Sequence, residues 1–244
     1  MVSAHRQRGF TLVEMVTVII ILGILAISAT SFLQFGARIF SESSDREEII
    51  ASARFAIERL NRDLRKALPN SAWFDNSAGY PCLQFTPVIE STVYTYIPVP
   101  PEVASNIITL VKFDETFDAD WQVAVYTLTT ADVYDDNDKV FDVASLSNSA
   151  GDEWEITLES AEQFASDSPT KRLYFIKGAV NYCLNNQTLL RDGVELARHI
   201  TNNAPFEVTE ATLQRNGFVQ VYFEFSLNEE TIAFNNEIQM PNVP

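Results

Sequence analysis

Little in this sequence is equipped for catalysis. It holds two histidines, His5 and His199, among 244 residues. His199 is flanked by Arg198 and Ile200, a setting more often structural or exposed than catalytic. No Gly-x-Ser-x-Gly elbow, phosphate-binding loop or His-Glu-x-x-His pair occurs. These absences argue against an enzyme. Cations are scarce as well: 17 Lys and Arg stand against 33 Asp and Glu, a formal net charge of −16. Nonspecific nucleic-acid binding needs clustered cations facing phosphates, so no nucleic-acid partner is expected, and docking on anionic lipid is disfavoured. Solubility alone accounts for the acidity. Internal repeats and low-complexity tracts are missing, and no proline precedes Pro69.

Cysteine is nearly absent. Cys82 and Cys183 are the two present, with no Cys-x-x-Cys spacing, which argues against zinc. One long-range disulfide or two buried thiols remain. An oxidising compartment favours the bridge, which would close a loop of about 100 residues worth about 4–5 kcal/mol on the chain-entropy model.

What the chain does have is a basic leader with Arg6 and Arg8, followed by an apolar run from Leu12 to Ile27 with one acid, Glu14. The run is longer than a secretory h-region of about 7–15 residues. As a helix, Phe10 to Phe35 at about 1.5 Å per residue crosses a hydrocarbon core of roughly 30 Å. The basic leader keeps the N-terminus cytoplasmic and exports the rest. A carboxylate in such a segment reads as functional and in need of a partner.

The order Gly9-Phe10-Thr11-Leu12-Val13-Glu14 resembles the processing site of type IV prepilins and type II secretion pseudopilins. The resemblance implies a membrane peptidase and methyltransferase that cuts between Gly9 and Phe10 and N-methylates Phe10. Glu14 is then the fifth residue of the mature chain. Its carboxylate would pair with the free amino group of a neighbouring subunit, setting the axial register of a fibre. Many major pilins carry a helix-breaking proline in this segment; this chain does not.

Beyond the apolar run, Ile49, Ala53, Ala56, Ile57, Leu60, Leu64 and Leu68 recur at three-to-four spacing, one face of an amphipathic helix. Phe55 falls off that stripe. Pro69-Asn70-Ser71 ends the helix, which therefore runs from about Phe10 to Leu68, with loosening expected near Gly36. After Pro69 the pattern turns to period two. The clearest strand is Phe218–Leu227, turning at Asn228-Glu229-Glu230 into Thr231–Gln239. Other strands are expected at 92–97, 107–113, 121–130, 153–158, 172–176, 180–184 and 189–191, and Asp132–Asp152 reads as a polar surface loop. The fold class is α+β and pilin-like: one long N-terminal helix packed on an antiparallel β-rich head. The expected divisions are a cleaved leader (1–9), a transmembrane assembly half (10–35), an amphipathic half (36–68) and a periplasmic head (69–244).

Two further stretches narrow the resemblance. Asn181-Tyr182-Cys183-Leu184 with Thr188-Leu189-Leu190-Arg191 is similar to the tyrosine and leucine-arginine strands of large minor pilins and J-type minor pseudopilins. The C-terminus, Asn236 to Pro244, looks like that of O-type minor pilins of the mannose-sensitive haemagglutinin (MSHA) pilus. The resemblance implies a minor pilin at the filament tip, anchored in the bacterial inner membrane before assembly. Its partners would be the prepilin peptidase, other major and minor pilins, the inner-membrane assembly platform and membrane lipid. A type II secretion pseudopilin is the alternative within the family. A tip adhesin is the alternative of another class, and an enzyme acting on cell-wall material the most distant.

Two ligand readings stay open. Asp132, Asp135, Asp136, Asp138 and Asp142 cluster and could supply oxygens to calcium, although the spacing is not that of an EF-hand; a solvated acidic loop is the alternative. Trp73, Trp121, Trp154, Tyr94, Tyr96 and Tyr126 line either a glycan-binding surface or a core.

Overall fold

The computed structural model describes residues 10–113, 117–135, 138–148, 153–211, 215–228 and 230–240. Its first element, α1, is an unbroken helix of 53 residues, Leu12–Leu64. Both Gly23 and Gly36 lie within it without interruption, so the loosening expected near Gly36 is not seen. With no proline to remove a backbone donor, nothing in the sequence forces a kink. The helix stops four residues before the expected Leu68. There the Leu68 amide donates to the Thr86 carbonyl at 2.8 Å and the Val88 amide to the Lys66 carbonyl at 2.7 Å, so pairing with the head replaces the last helical turn.

The head contains, in chain order, β1 (Trp73–Asp75), β2 (Cys82–Phe85), β3 (Val88–Tyr96), β4 (Ser105–Val111), β5 (Gln122–Ala124), the short helix α2 (Ala131–Tyr134), β6 (Val140–Asn148), β7 (Glu153–Glu162), β8 (Arg172–Ile176), β9 (Val180–Asn185), β10 (Thr188–Arg191), β11 (Val194–Ala197), β12 (Phe206–Thr209), β13 (Phe218–Leu227) and β14 (Glu230–Gln239). They form three sheets: a five-stranded one ordered β1-β2-β9-β10-β11, a three-stranded one ordered β12-β13-β14, and a closed barrel ordered β3-β4-β7-β6-β5-β8. Each strand pairing is antiparallel.

The amphipathic half of α1 packs on the two open sheets. Ile49, Ala53, Ala56, Leu60 and Leu64 are its buried residues, the expected stripe, while Phe55 stays 56% exposed. They share one core with Leu83 and Phe85 of β2, Tyr182 and Leu184 of β9, and Val219, Val221, Phe223 and Phe225 of β13. Alternation along β13 sends these four side chains inward and Tyr222 out. Each fully buried phenylalanine contributes roughly 1.5–3 kcal/mol relative to exposure.

All six barrel strands lie between β2 and β9 in the chain, yet β2 and β9 pair directly, from Cys82↔Cys183 to Phe85↔Val180. The barrel is thus an insertion into the five-stranded sheet. It has its own core, including Ile108, Leu110, Val123, Ile156, Leu158, Phe164 and Phe175. A small third cluster, Leu68, Ala124, Val133, Tyr174 and Ile176, joins the barrel to the segment that follows α1.

Several expected boundaries shift. The supposed loop 132–152 contains the end of α2 and all of β6. In β6, Val143 is buried in the barrel core and Phe141 and Leu146 pack against it, while Asp142, Ser145 and Ser147 are exposed, which gave the stretch its polar appearance. The strand expected over 121–130 shortens to β5, because Val125 already donates to the Lys139 carbonyl and Tyr126 adopts a positive φ of 53°. Strands β1, β2, β11 and β12 are additional to the expected set.

Candidate functional site

The candidate surface begins at the N-terminus of α1. Thr11 has extended backbone angles (φ −85°, ψ 151°) and its hydroxyl accepts from the Glu14 amide at 3.3 Å. Thr11 is therefore the N-cap, and Glu14 sits at the third helical position. Thr-x-x-Glu is the spacing of a capping box, a local signal in the sequence beyond its processing motif. The carboxylate lies in the first turn, where the positive end of the helix dipole favours an anion. Glu14 is exposed, as is Phe10.

From Leu12 the helix is long and apolar enough to cross a membrane, and none of its most apolar 18-residue window is buried against the head. The next charge after Glu14 is Arg38, which pairs with Glu42 one turn on at 2.7 Å. Within the apolar half, three hydroxyls are satisfied internally. Thr17 donates to the Glu14 carbonyl at 3.0 Å, Ser28 to Ile24 at 3.0 Å and Thr30 to Ala26 at 2.8 Å. Such back-bonding spares these groups the cost of an unpaired polar atom in hydrocarbon.

Where the helix meets the head, Asp63 is the polar centre. Its Oδ2 accepts from Tyr182 Oη at 2.8 Å, Arg191 Nε at 2.8 Å and Arg59 Nε at 3.3 Å. Tyr182 and Arg191 are cross-strand partners on β9 and β10. Burial by itself would raise the Asp63 carboxyl; the hydrogen bonds from Arg191 and Tyr182 and the charges of Arg191 and Arg59 outweigh it and hold the group below the usual carboxylate range. Burial and the Asp63 carboxylate push Tyr182 well up. The tyrosine and arginine stand in the two sequence stretches singled out above, whereas Asp63 is hidden in a run of charged helix residues.

Cys82 and Cys183 form a disulfide with a Cα–Cα distance of 4.1 Å and a sequence separation of 101. It ties β2 to β9 at the root of the inserted barrel.

The acidic cluster disperses. Asp132 Oδ2 accepts from the Leu128 and Thr129 amides at 2.7 and 3.0 Å and pairs with Lys139 Nζ at 2.8 Å. Burial would raise its carboxyl; these partners hold it low. Asp142 accepts from Gln122 Nε2 at 2.9 Å, Asp138 occupies a turn with φ 53°, and Asp136 lies outside the described residues. Among the described residues, no three His, Cys, Asp or Glu side chains are grouped to hold a metal ion.

Nor do the aromatic candidates share a surface. Trp121, with Phe113 and Phe175, packs in the barrel core, and Trp154 packs against Phe113. Tyr94 is buried there too. Trp73 packs on Tyr134, Tyr126 lies under Lys139, and Tyr96 is exposed on β3. His199 is half-buried beside Arg198, whose guanidinium pairs with Glu195. The C-terminal stretch singled out above ends in residues 241–244, outside the described residues.

Comparison with known proteins ties this geometry to a family signature. Residues 4–30 match the prokaryotic N-terminal methylation motif. No curated protein and no solved structure matches the chain. The motif, the long apolar helix and the β-rich head together support a type IV pilin-like protein.

Proposed function

We propose that the chain is a minor pilin of a type IV pilus, of the MSHA kind, with a structural rather than catalytic role. Residues 1–9 are a leader removed between Gly9 and Phe10, and Phe10 is N-methylated. Residues 10–35 anchor the subunit in the inner membrane and then pack in the filament, 36–68 carry the head, and 69–244 form it. The single observation behind this reading is the methylation motif over residues 4–30 leading into a helix whose apolar half is wholly uncovered. Apolar surface of that extent needs lipid or other subunits, and transfer from lipid to a bundle of like helices satisfies the same surface twice. Glu14 lies in the first turn of the helix capped by Thr11, and pairing with a neighbour's amino group would neutralise it. The inserted barrel enlarges the head, which supports a place at the tip, where bulk meets no shaft neighbours above it.

The test is a clean deletion, with sheared surface pili and secreted proteins scored in the same cultures. Lost pili with normal secretion is the expected result. Lost secretion with normal pili would make the chain a type II secretion pseudopilin instead.

A further inference from the structure

We propose that a cleft on the five-stranded sheet side of the head binds a neutral oligosaccharide. The cleft has a volume of about 540 Å³ and lies where the segment after β1, the β9–β10 turn and the segment before β12 converge. Its lining holds Asn76, Asn185, Asn186, Gln187 and Asn203, with Tyr80 beside them. In a chain of which 20% is charged, no Asp, Glu, Lys or Arg contributes to this lining.

The chemistry selects the ligand class. A carboxamide donates from nitrogen and accepts at oxygen, which matches a hydroxyl that does both. The side chains of these five amides make no hydrogen bond within the protein among the described residues. No lining residue offers a counter-charge to a phosphate or carboxylate ligand, and none offers a carboxylate to a metal or amine. Half-buried Tyr80 lines the same cleft, and an aromatic ring there suits the apolar C–H face of a sugar.

The cleft is also prepared by its frame. Asn186 and Gln187 form the two-residue turn between β9 and β10, with Asn185 and Thr188 as cross-strand partners. Both take positive φ, 47° and 64°, the pattern of a tight hairpin turn and an unusual one for glutamine. The opposite wall is pinned by Asn202, whose amide donates to the Tyr222 carbonyl at 2.7 Å and accepts from the Glu224 amide at 2.9 Å. The Ile200 amide donates to the Gln187 carbonyl at 3.0 Å, and the Leu184 amide to Pro81 at 2.9 Å. The Cys82–Cys183 bridge lies one residue from both Pro81 and Leu184. A site held this way loses little freedom on binding.

The experiment uses the purified full chain in nanodiscs on an array of neutral, sialylated and sulfated oligosaccharides, so its outcome is independent of piliation. Neutral glycans are expected to bind. Asn186→Gly with Gln187→Gly keeps a backbone that tolerates positive φ and removes two amides, so binding should fall about tenfold with the melting temperature unchanged. Asn76→Ser with Asn203→Ser, on two exposed positions, should weaken the same glycans if the turn variant fails to fold. A silent array, binding confined to anionic glycans, or wild-type binding by both variants would overturn the proposal.

Discussion

Tyr182 and Asp63 lie 119 residues apart in sequence and share a hydrogen bond of 2.8 Å. It joins the long helix to the middle of the five-stranded sheet, and Arg191 closes the group from the next strand at 2.8 Å. Asp63 is 12% exposed and Arg191 27%, so the cluster is largely but not wholly removed from water. Tyr182→Phe and Asp63→Asn should each destabilise the head by about 1–3 kcal/mol, since each leaves a desolvated partner short of a bond. The double variant should cost less than the sum of the two. Strict additivity in urea unfolding would show that the contact is not energetically coupled.

The same carboxylate predicts a response to acid. Asp63 is held below its ordinary value, so folding favours its ionised form. That stability is fully present above the unfolded value, about pH 3.9, and is lost as pH falls through the folded value. Urea midpoints of the wild type should fall on acidification below about pH 4, and the fall should be smaller in Asp63→Asn. Identical pH profiles would remove Asp63 from the account.

The disulfide should matter through the loop it closes. With a sequence separation of 101 between the cysteines, loop-closure entropy gives about 4–5 kcal/mol. Paired Cys82→Ser and Cys183→Ser changes, or reductant added to the wild type, should lower the melting temperature markedly. An unchanged melting curve would mean that the β2–β9 pairing holds the neck without it.

Processing is read by mass. Chain recovered from cells with an active prepilin peptidase should have the mass of residues 10–244 carrying one added methyl group. Without the peptidase the leader should remain. A different cleavage position would move the assembly residues away from Phe10 and Glu14.

Assembly should hinge on Glu14. Glu14→Leu leaves a helix still able to insert, since the change only raises its apolarity, but removes the charge proposed to meet a neighbour's amine. The variant should remain in the inner membrane and be depleted from sheared filaments. Recovery in filaments at the wild-type level would show that Glu14 does not set register.

Much of this architecture is legible in the sequence because it is periodic. The stripe from Ile49 to Leu64 marks the helix face that the head covers, and alternation marks β13 and its hairpin partner β14. The barrel is not legible in the same way. Closure depends on β3 meeting β8 and β4 meeting β7, pairings set by the whole chain and by no single segment. Strand β2 hides because Cys82, Leu83 and Phe85 are buried on both faces, which erases alternation. In β6 the exposed Asp and Ser mask an inward Val143. The candidate site divides likewise. Thr11 and Glu14 announce themselves by local spacing, whereas Asp63 gains its meaning only from Tyr182 and Arg191, and the amide cleft only from three segments far apart in sequence.

The barrel enters the fold after Phe85 and returns at Val180, and those two residues face each other across adjacent strands. Its two ends are therefore neighbours in space, as in domains that tolerate insertion or excision. A shorter relative could join β2 to β9 by a simple turn and keep the helix, the Asp63 anchor and the amide cleft in place. The barrel is in this sense an interchangeable module, free to diverge in size and surface while the part proposed to enter a filament stays the same.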